Sequence, residues 1–237
     1  MREVRLEGLL TEQAVRDLRV GDVVHYTGPV HTMRDMAHRR AVDMLERGEE
    51  LPFDLHRGVL WHCAPVVSRA GEEWVVRSAG PTTSSRFTEL GAALIRLLQI
   101  RMVVGKGTMG APAAGAMAEV GCCYLTMTGG CAALYADRVQ RVEHLAWADF
   151  GLPEAVWVLR VKDLGPLVVG IDSTGASLYE QMGARLAGTL PEIYARSSVD
   201  PERSYAYLPR RVAAAPAVWR PESRSYTLER RDGSGPG

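Results

Sequence analysis

The sequence has no long uninterrupted apolar run and no net charge. No stretch approaches the roughly 20 apolar residues of a transmembrane helix, and the beginning, MREVRLEGLLTEQ, mixes charged residues into the apolar ones, unlike a secretory signal. The 28 basic and 28 acidic residues balance each other, so the overall charge favours neither nucleic acid nor an anionic membrane as a partner. We therefore expect a cytoplasmic protein that binds neither.

Cysteine is scarce, with four residues at Cys63, Cys122, Cys123 and Cys131. In a chain of this size without a signal peptide, we expect reduced thiols and no disulfide framework. Adjacent residues of a strand point to opposite faces, so Cys122 and Cys123 are poorly placed to share a metal. We expect buried thiols and no metal site in this chain. The alternative, a redox or metal protein that uses Cys63 and Cys122, predicts iron or zinc in the isolated chain.

Lysine is nearly missing, because only Lys106 and Lys162 interrupt an otherwise all-arginine set of basic residues. Lys106 lies between Gly105 and Gly107. Its position there suggests a need for a compact ammonium group where a planar guanidinium would not serve. Chance is the alternative explanation.

Predicted strands and helices alternate along the chain without a fixed repeat, which indicates an α/β or β/β/α layered domain. The 237 residues are 46% hydrophobic, enough for a substantial core. After about Ser197 the composition becomes rich in Pro, Arg and Ser. We predict a domain at 1–197 and a poorly ordered extension at 198–237. Helices are predicted from Thr11 and at 32–47, 87–98, 111–120, from Cys131 and at 178–190; strands are predicted at 3–10, 23–26, 59–63, 73–77, 102–104, 122–127, 142–147, 156–161 and 167–171.

Three cationic side chains, Arg34, Arg86 and Lys106, each lie in a predicted turn or at a helix start. Arginine forks match carboxylates and lysine adds a point charge, so the three together suit a small polyanion. Arg34 in particular lies where the helix dipole disfavours a cation, and it needs an anion nearby. The alternative is three solvated residues or weak surface ion pairs.

Each of the remaining polar candidates has a structural alternative, which we favour. Thr82 and Thr83 follow the Gly80-Pro81 turn, where threonine often caps the next helix. His38 and His62 are isolated in the sequence and have no partner at metal-ligand spacing, which favours structural roles. Glu154 lies in a turn and could serve as an acid or base, or be an ordinary surface carboxylate.

A phosphate-binding loop is excluded at Gly105-Lys106-Gly107-Thr108. The earlier glycine that such a loop requires is replaced by Gln99 or Ile100.

Taken in order, several motifs resemble the C-terminal domain, or β subunit, of iron-sulfur class I fumarases and L-tartrate dehydratases. The resemblance covers about residues 5–185. The motifs are Thr27-Gly28-Pro29, Arg34-Asp35-Met36-Ala37-His38, Leu51-Pro52, Gly80-Pro81-Thr82-Thr83-Ser84-Ser85-Arg86, Gly105-Lys106-Gly107, Thr128-Gly129-Gly130-Cys131-Ala132-Ala133-Leu134, Gly151-Leu152-Pro153-Glu154-Ala155 and Asp172-Ser173-Thr174-Gly175.

The resemblance implies a swivelling β/β/α fold with a mixed sheet and a hydro-lyase reaction, the reversible addition of water to a C4 dicarboxylate. Fumarate giving malate is the expected reaction, with L-tartrate dehydration as the alternative. It also implies a partner α subunit whose [4Fe-4S] cluster binds the substrate hydroxyl, an α2β2-type assembly, and no activity of this chain alone.

By the same resemblance, Thr82 matches the threonine proposed as catalytic base, and Lys106, also a catalytic residue, matches the lysine beside the family's carboxylate-binding arginines. Arg34, Arg86 and Thr83 are the substrate-binding residues. The family's Met-Asp after the second arginine is Phe87-Thr88 here, and a family Gly-Pro is Ala64-Pro65. These departures leave open which acid is bound, and a non-catalytic binding module of the same fold remains the rival interpretation.

Overall fold

The protein is described by a computed structural model at residues 2–197 and 200. The chain divides into two compact units, Met1–Gly188 and Thr189–Gly237. The extension predicted at 198–237 lies outside the described residues, apart from Asp200.

The first unit is an α/β domain with a mixed sheet, as the sequence predicted. Its seven-stranded sheet has the order β1-β2-β3-β6-β7-β9-β8, and β4 and β5 form a separate antiparallel pair. The strands β1, β2, β3, β6 and β7 run parallel to their neighbours, whereas β9 is antiparallel to β2, β7 and β8. The strands are β1 Glu3–Glu7, β2 Val23–Thr32, β3 Val59–Trp61, β4 Val66–Ala70, β5 Glu73–Ser78, β6 Met102–Gly105, β7 Cys123–Thr126, β8 Val139–Ala146 and β9 Val156–Ile171.

Strand pairing closes on itself, because β9 pairs with β2 as well as with β7 and β8. Strands β3, β6, β7 and β9 contribute residues to two apolar clusters, one on each face of the sheet. On β3, for example, Val59 and Trp61 belong to the first cluster and Leu60 to the second. The same alternation separates Cys123 from Cys122, as predicted for adjacent residues of a strand.

The helices are α1 Glu12–Arg16, α2 Asp35–Glu46, α3 Thr88–Leu98, α4 Ala111–Val120, α5 Ala132–Ala136 and α6 Leu178–Arg196. Helices α2, α3 and α4 cover the second cluster, whereas α1 and α5 pack on the first. Thr11 caps α1 as predicted, with its side chain accepting a hydrogen bond from Ala14 N. Helix α4 begins with proline in its first turn and ends at Gly121 in the left-handed conformation.

Two predicted strand boundaries are wrong. Strand β2 was expected to stop at the Thr27-Gly28-Pro29 segment, but it continues to Thr32, with irregular register on β9 near Gly28. A side chain at Gly28 would overlap the Tyr26 ring, so this glycine makes room for the ring within the strand. The predicted strands at 156–161 and 167–171 are one continuous strand, β9.

One strand between those predicted at 59–63 and 73–77 was not predicted. An additional strand, β4, precedes the turn at Gly71 and pairs with β5, while β3 lies between β2 and β6 in the main sheet.

Helix α6 continues through Pro191, where the sequence predicts an end or a bend, as far as Arg196. Proline interrupts the backbone hydrogen-bond pattern but does not always end a helix. No helix within the described residues combines the length and apolar composition needed to cross a bilayer.

Candidate active site

The two ends of the segment from Gly80 to Gly107 lie side by side at the end of β6. Lys106 N donates a hydrogen bond to Thr82 O at 3.1 Å, and Ser84 N donates to Lys106 O at 2.9 Å. Thr82 N in turn donates to His62 O at 2.7 Å, just after β3. Backbone pairing with two neighbouring parallel strands therefore fixes the threonine turn beside the lysine.

Three polar groups of this turn are available for a ligand. Thr82 and Lys106 are partly buried and Thr83 is exposed. Within residues 2–197 and 200, the hydroxyls of Thr82 and Thr83 and the Lys106 ammonium have no hydrogen-bond or ion-pair partner. Thr83 precedes a 3₁₀ turn, Ser84–Phe87, without capping it through its side chain. The capping alternative is therefore wrong for Thr83.

Gly129 provides the surface beneath Lys106. A Cβ atom at this position would lie 2.9 Å from Lys106 Cδ and 3.9 Å from Nζ. The glycine in the loop after β7 thus lets the lysine side chain lie directly against the backbone.

Arg34 occupies the N-cap position of α2, and its expected anion is a carboxylate of the same chain. Arg34 Nη1 lies 3.2 Å from Glu154 Oε1, and Glu154 Oε2 accepts a hydrogen bond from Met36 N at 3.2 Å. The Glu154 carboxylate therefore neutralises both the arginine and the positive end of the α2 dipole. Arg34 Nε is buried and has no partner in the described residues.

Arg86 pairs with the residue next to Arg34. Arg86 Nη2 donates a hydrogen bond to Asp35 Oδ2 at 2.6 Å. The Arg86 guanidinium also lies 5.3 Å from the centre of the Phe87 ring. This ion pair connects the threonine turn to the first turn of α2, and it brings both arginines to one region.

A buried polar cluster lies behind the threonine turn. Ser84 Oγ accepts a hydrogen bond from Tyr124 OH at 3.0 Å and lies 2.8 Å from His62 Nδ1. All three side chains are buried. A Cβ atom at Gly105 would overlap Ser84 Oγ and lie 3.2 Å from His62 Nδ1. Because Ser84 and His62 approach the backbone this closely, position 105, just before Lys106, requires glycine.

His38 and His62, which are far apart in the sequence, lie next to each other in the fold. Their ring centroids are 5.1 Å apart, and each ring lies 4.6 Å from that of Phe87. His38 Nδ1 is 2.8 Å from Arg34 O, and because a carbonyl can only accept, His38 donates. The buried histidine thereby holds the backbone that positions Arg34.

Burial keeps both imidazoles neutral. It lowers the pKa of His38 to about 4. The pKa of His62 is also lowered, first by burial and then by the neighbouring His38 and Arg86. The Nε2 atoms of both rings have no partner within the described residues. These histidines support the site without adding to its charge.

The cysteines do not form a ligand set for an iron-sulfur cluster. Cys63 and Cys122 lie in different apolar clusters, and burial raises the pKa of both thiols. Burial likewise raises the pKa of Cys123 to about 12. Among the described residues, no group of three or more His, Cys, Asp or Glu could hold a metal ion.

The sequence does not predict the contacts of two carboxylates at this site, Asp35 and Glu154. Asp35 was available as an acidic residue beside a cation at a helix start. Glu154 was considered a surface carboxylate, but its side chain is only 18% exposed. Its contact with Arg34 forms only in the tertiary fold, and no local sequence pattern predicts it.

The arrangement gathers two arginine forks, one ammonium and two hydroxyls on rigid backbone. Such a set can bind two carboxylates and stabilise additional negative charge next to a hydroxyl.

Comparison with known proteins places this site in context. The family model described as Fumarase C-terminus matches residues 1–182. The "Putative L(+)-tartrate dehydratase subunit beta" of Methanocaldococcus jannaschii is 40% identical over 185 residues, which cover 78% of this chain and 95% of that protein. The L(+)-tartrate dehydratase subunit beta of Escherichia coli K12 is 38% identical over 169 residues, 69% and 80% of the two chains. The "Putative fumarate hydratase class I" of Geobacillus stearothermophilus is 40% identical over 182 residues, which cover 76% of this chain and 34% of that protein.

Proposed function

This chain belongs to the Fumarase C-terminus family, and we propose on that premise that it is the β subunit of a hydro-lyase acting on a C4 dicarboxylate. The favoured reaction is reversible hydration of fumarate to malate. The observation that carries the proposal is the backbone pairing of Lys106 with Thr82, together with the Arg86–Asp35 ion pair that joins the threonine turn to the helix start next to Arg34.

The proposed chemistry follows from the charges of these groups. Arg34 and Arg86 bind the two substrate carboxylates, assisted by Thr83. In the direction from malate to fumarate, Thr82 acts as the alkoxide, takes the proton from the carbon next to a carboxylate and becomes the hydroxyl. The released electron pair forms the double bond as the C–O bond breaks, and the hydroxide leaves as water with a proton from a group of the partner subunit. That proton is only weakly acidic, so its removal requires nearby cations that stabilise the extra negative charge.

Lys106 and Arg86 have a second task in this proposal. A threonine side chain is an effective base only as the alkoxide, and nearby positive charge favours that form. The backbone pairing of Thr82 with Lys106 places the lysine on the neighbouring strand end, and the lysine makes no ion pair in the described part of the chain. Its charge is therefore available to the threonine and to the substrate.

A partner subunit is part of the proposal. The Methanocaldococcus and Escherichia relatives are named as beta subunits, and this chain spans about a third of the Geobacillus protein. Because the buried cysteines of this chain do not fit a cluster, we assign the [4Fe-4S] cluster and its ligands to the α subunit, in an α2β2-type assembly. The swivelling β/β/α arrangement of the family is the layering we propose for the mixed sheet and its helices.

L-tartrate dehydration is the second candidate, favoured by the names of the Methanocaldococcus and Escherichia relatives. Malate and L-tartrate each carry two carboxylates and differ in the number of their hydroxyl groups, so Arg34 and Arg86 could bind either acid. A non-catalytic binding module of the same fold is the rival from another class.

The test is reconstitution of the chain with its cluster-bearing partner, followed by kinetics of Thr82→Ala, Arg86→Ala and Lys106→Ala. Loss of a general base typically lowers the rate by about 10²–10⁴-fold, and we expect a fall of that order for Thr82→Ala. Lys162→Ala is the matched control, since it removes the only other lysine, an exposed residue on β9.

We expect the control to keep full activity. Unchanged activity in all three site variants would overturn the catalytic proposal. An assembled protein that binds C4 acids without converting them would favour the binding module.

A further inference from the structure

Both arginines assigned to the substrate already face a carboxylate of their own chain. Arg34 pairs with Glu154 and Arg86 pairs with Asp35. A dicarboxylate substrate must therefore bind two arginines that are already paired with carboxylates. The Arg34–Glu154 and Arg86–Asp35 pairs differ in burial and in the number of contacts they make.

The Glu154 pair is the more strongly fixed of the two. The exposed fractions are only 25% for the Arg34 side chain and 18% for that of Glu154. One Glu154 oxygen contacts Arg34 and the other accepts from Met36 N, while Glu154 N donates to Gly151 O at 3.1 Å. Displacing Glu154 would leave both an arginine and a helix end without a partner.

Arg34 nevertheless keeps donors for a substrate. The contact with Glu154 uses Nη1, and the buried Nε has no partner among the described residues. A guanidinium has five N–H donors in a fixed fork. A substrate carboxylate can therefore bind another edge of Arg34 while Glu154 stays in place.

The Asp35 pair is exposed and makes a single hydrogen bond. The side chains are 45% exposed for Arg86 and 50% for Asp35, and only Nη2 of Arg86 contacts Asp35. Ion pairs of this kind contribute little to stability, because solvent competes for both charges. Asp35 also lies in the first turn of α2, where the helix dipole favours its negative charge without Arg86.

We propose that Glu154 is a positioning residue that stays bound to Arg34, whereas Asp35 is exchanged for a substrate carboxylate at Arg86. This inference rests on the proposed function and adds to it a division of roles between two carboxylates. It predicts opposite effects of two isosteric substitutions, Glu154→Gln and Asp35→Asn.

The experiment is titration of the assembled protein with succinate, a C4 dicarboxylate that can be neither hydrated nor dehydrated. Glu154→Gln is expected to weaken succinate binding about tenfold or more, since it removes a charged hydrogen-bond partner of Arg34. Asp35→Asn is expected to tighten binding, by up to about fivefold, because the substrate no longer competes with a carboxylate for Arg86.

Asp43→Asn provides the matched control. Asp43 is exposed on the same helix and forms no ion pair within the described residues, so its substitution changes the net charge equally. Succinate affinity of this variant should equal that of the wild type. If Asp43→Asn tightened binding as much as Asp35→Asn, a general charge effect would explain the result and the exchange at Arg86 would be refuted.

The positioning role has a second readout that does not depend on turnover. In the full chain, Glu154→Ala should speed hydrogen exchange of the Met36 amide, which loses its acceptor, and Asp35→Ala should not. If Asp35→Asn weakens succinate binding, or Glu154→Gln leaves it unchanged, the division of roles is refuted. A wild-type assembly that fails to bind succinate would instead refute the proposed function.

Discussion

Acidification from pH 7 to pH 5 should destabilise the folded chain through His38. This imidazole is fully buried, and burial lowers its pKa from 6.5 to about 4. Between these two values the unfolded chain binds more protons than the folded chain, so stability is complete above pH 6.5 and is lost as the pH falls towards 4. At pH 5, linkage gives a loss of about 2 kcal/mol from this one group.

The measurement is urea unfolding of the full chain at both pH values, for the wild type and for His38→Asn. Asparagine keeps a donor near the position of Nδ1, which binds Arg34 O, but it does not titrate. The variant should lose about 2 kcal/mol less than the wild type between pH 7 and pH 5. His31, whose pKa burial also lowers to about 4, remains in both proteins and adds the same pH dependence to each.

His144→Asn is the control, since His144 is exposed on β8. It should behave as the wild type at both pH values. If His38→Asn retained the full wild-type pH dependence, His38 would not be the neutral, desolvated imidazole that the buried cluster requires.

Two glycine substitutions test the packing around Lys106. Gly105→Ala would overlap Ser84 Oγ and should destabilise the fold by about 1–3 kcal/mol, measured by urea unfolding; unaltered stability would show that the close approach is not needed. Gly129→Ala would place a Cβ atom 2.9 Å from Lys106 Cδ. It should displace the lysine side chain and lower kcat/KM of the assembled protein with little change in stability. Gly115→Ala is the control for Gly129→Ala, because a Cβ atom at this exposed position in α4 would have nothing within 4 Å. It should raise stability by about 0.5–1 kcal/mol without affecting activity. Equal kinetics for Gly129→Ala and Gly115→Ala would contradict the placement of Lys106.

Local sequence signals were sufficient to predict two helix ends. The cap at Thr11 and the stop at Gly121 fix the start of α1 and the end of α4, because a side-chain acceptor and a left-handed glycine act within a few residues. Alternation of apolar residues likewise predicted the separation of Cys122 from Cys123.

Tertiary pairing overrode the turn signals within β2 and β9. Gly28-Pro29 is a turn signal on its own, but pairing with β9 on one side and packing of Tyr26 over the glycine keep the strand extended. Strand β9 pairs with β8 along its first part and with β7 along its last part. The sequence pattern of each part alone predicts a separate short strand and does not show that the two are continuous.

The cationic half of the candidate site could be predicted from sequence, and the anionic half could not. Arg34, Arg86 and Lys106 stand out because helix starts and glycine turns flank them. Their carboxylate neighbours carry no such signal, since the contact of Glu154 with Arg34 forms only when the turn before β9 reaches the start of α2.

The most direct test of the divided active site compares three samples: this chain alone, its cluster-bearing partner alone, and the two assembled. Each is assayed for fumarate hydration and for L-tartrate dehydration under anaerobic conditions. We predict product only from the assembled sample, and malate formation faster than tartrate dehydration. Fumarate hydration by the purified chain without partner or iron would contradict the account.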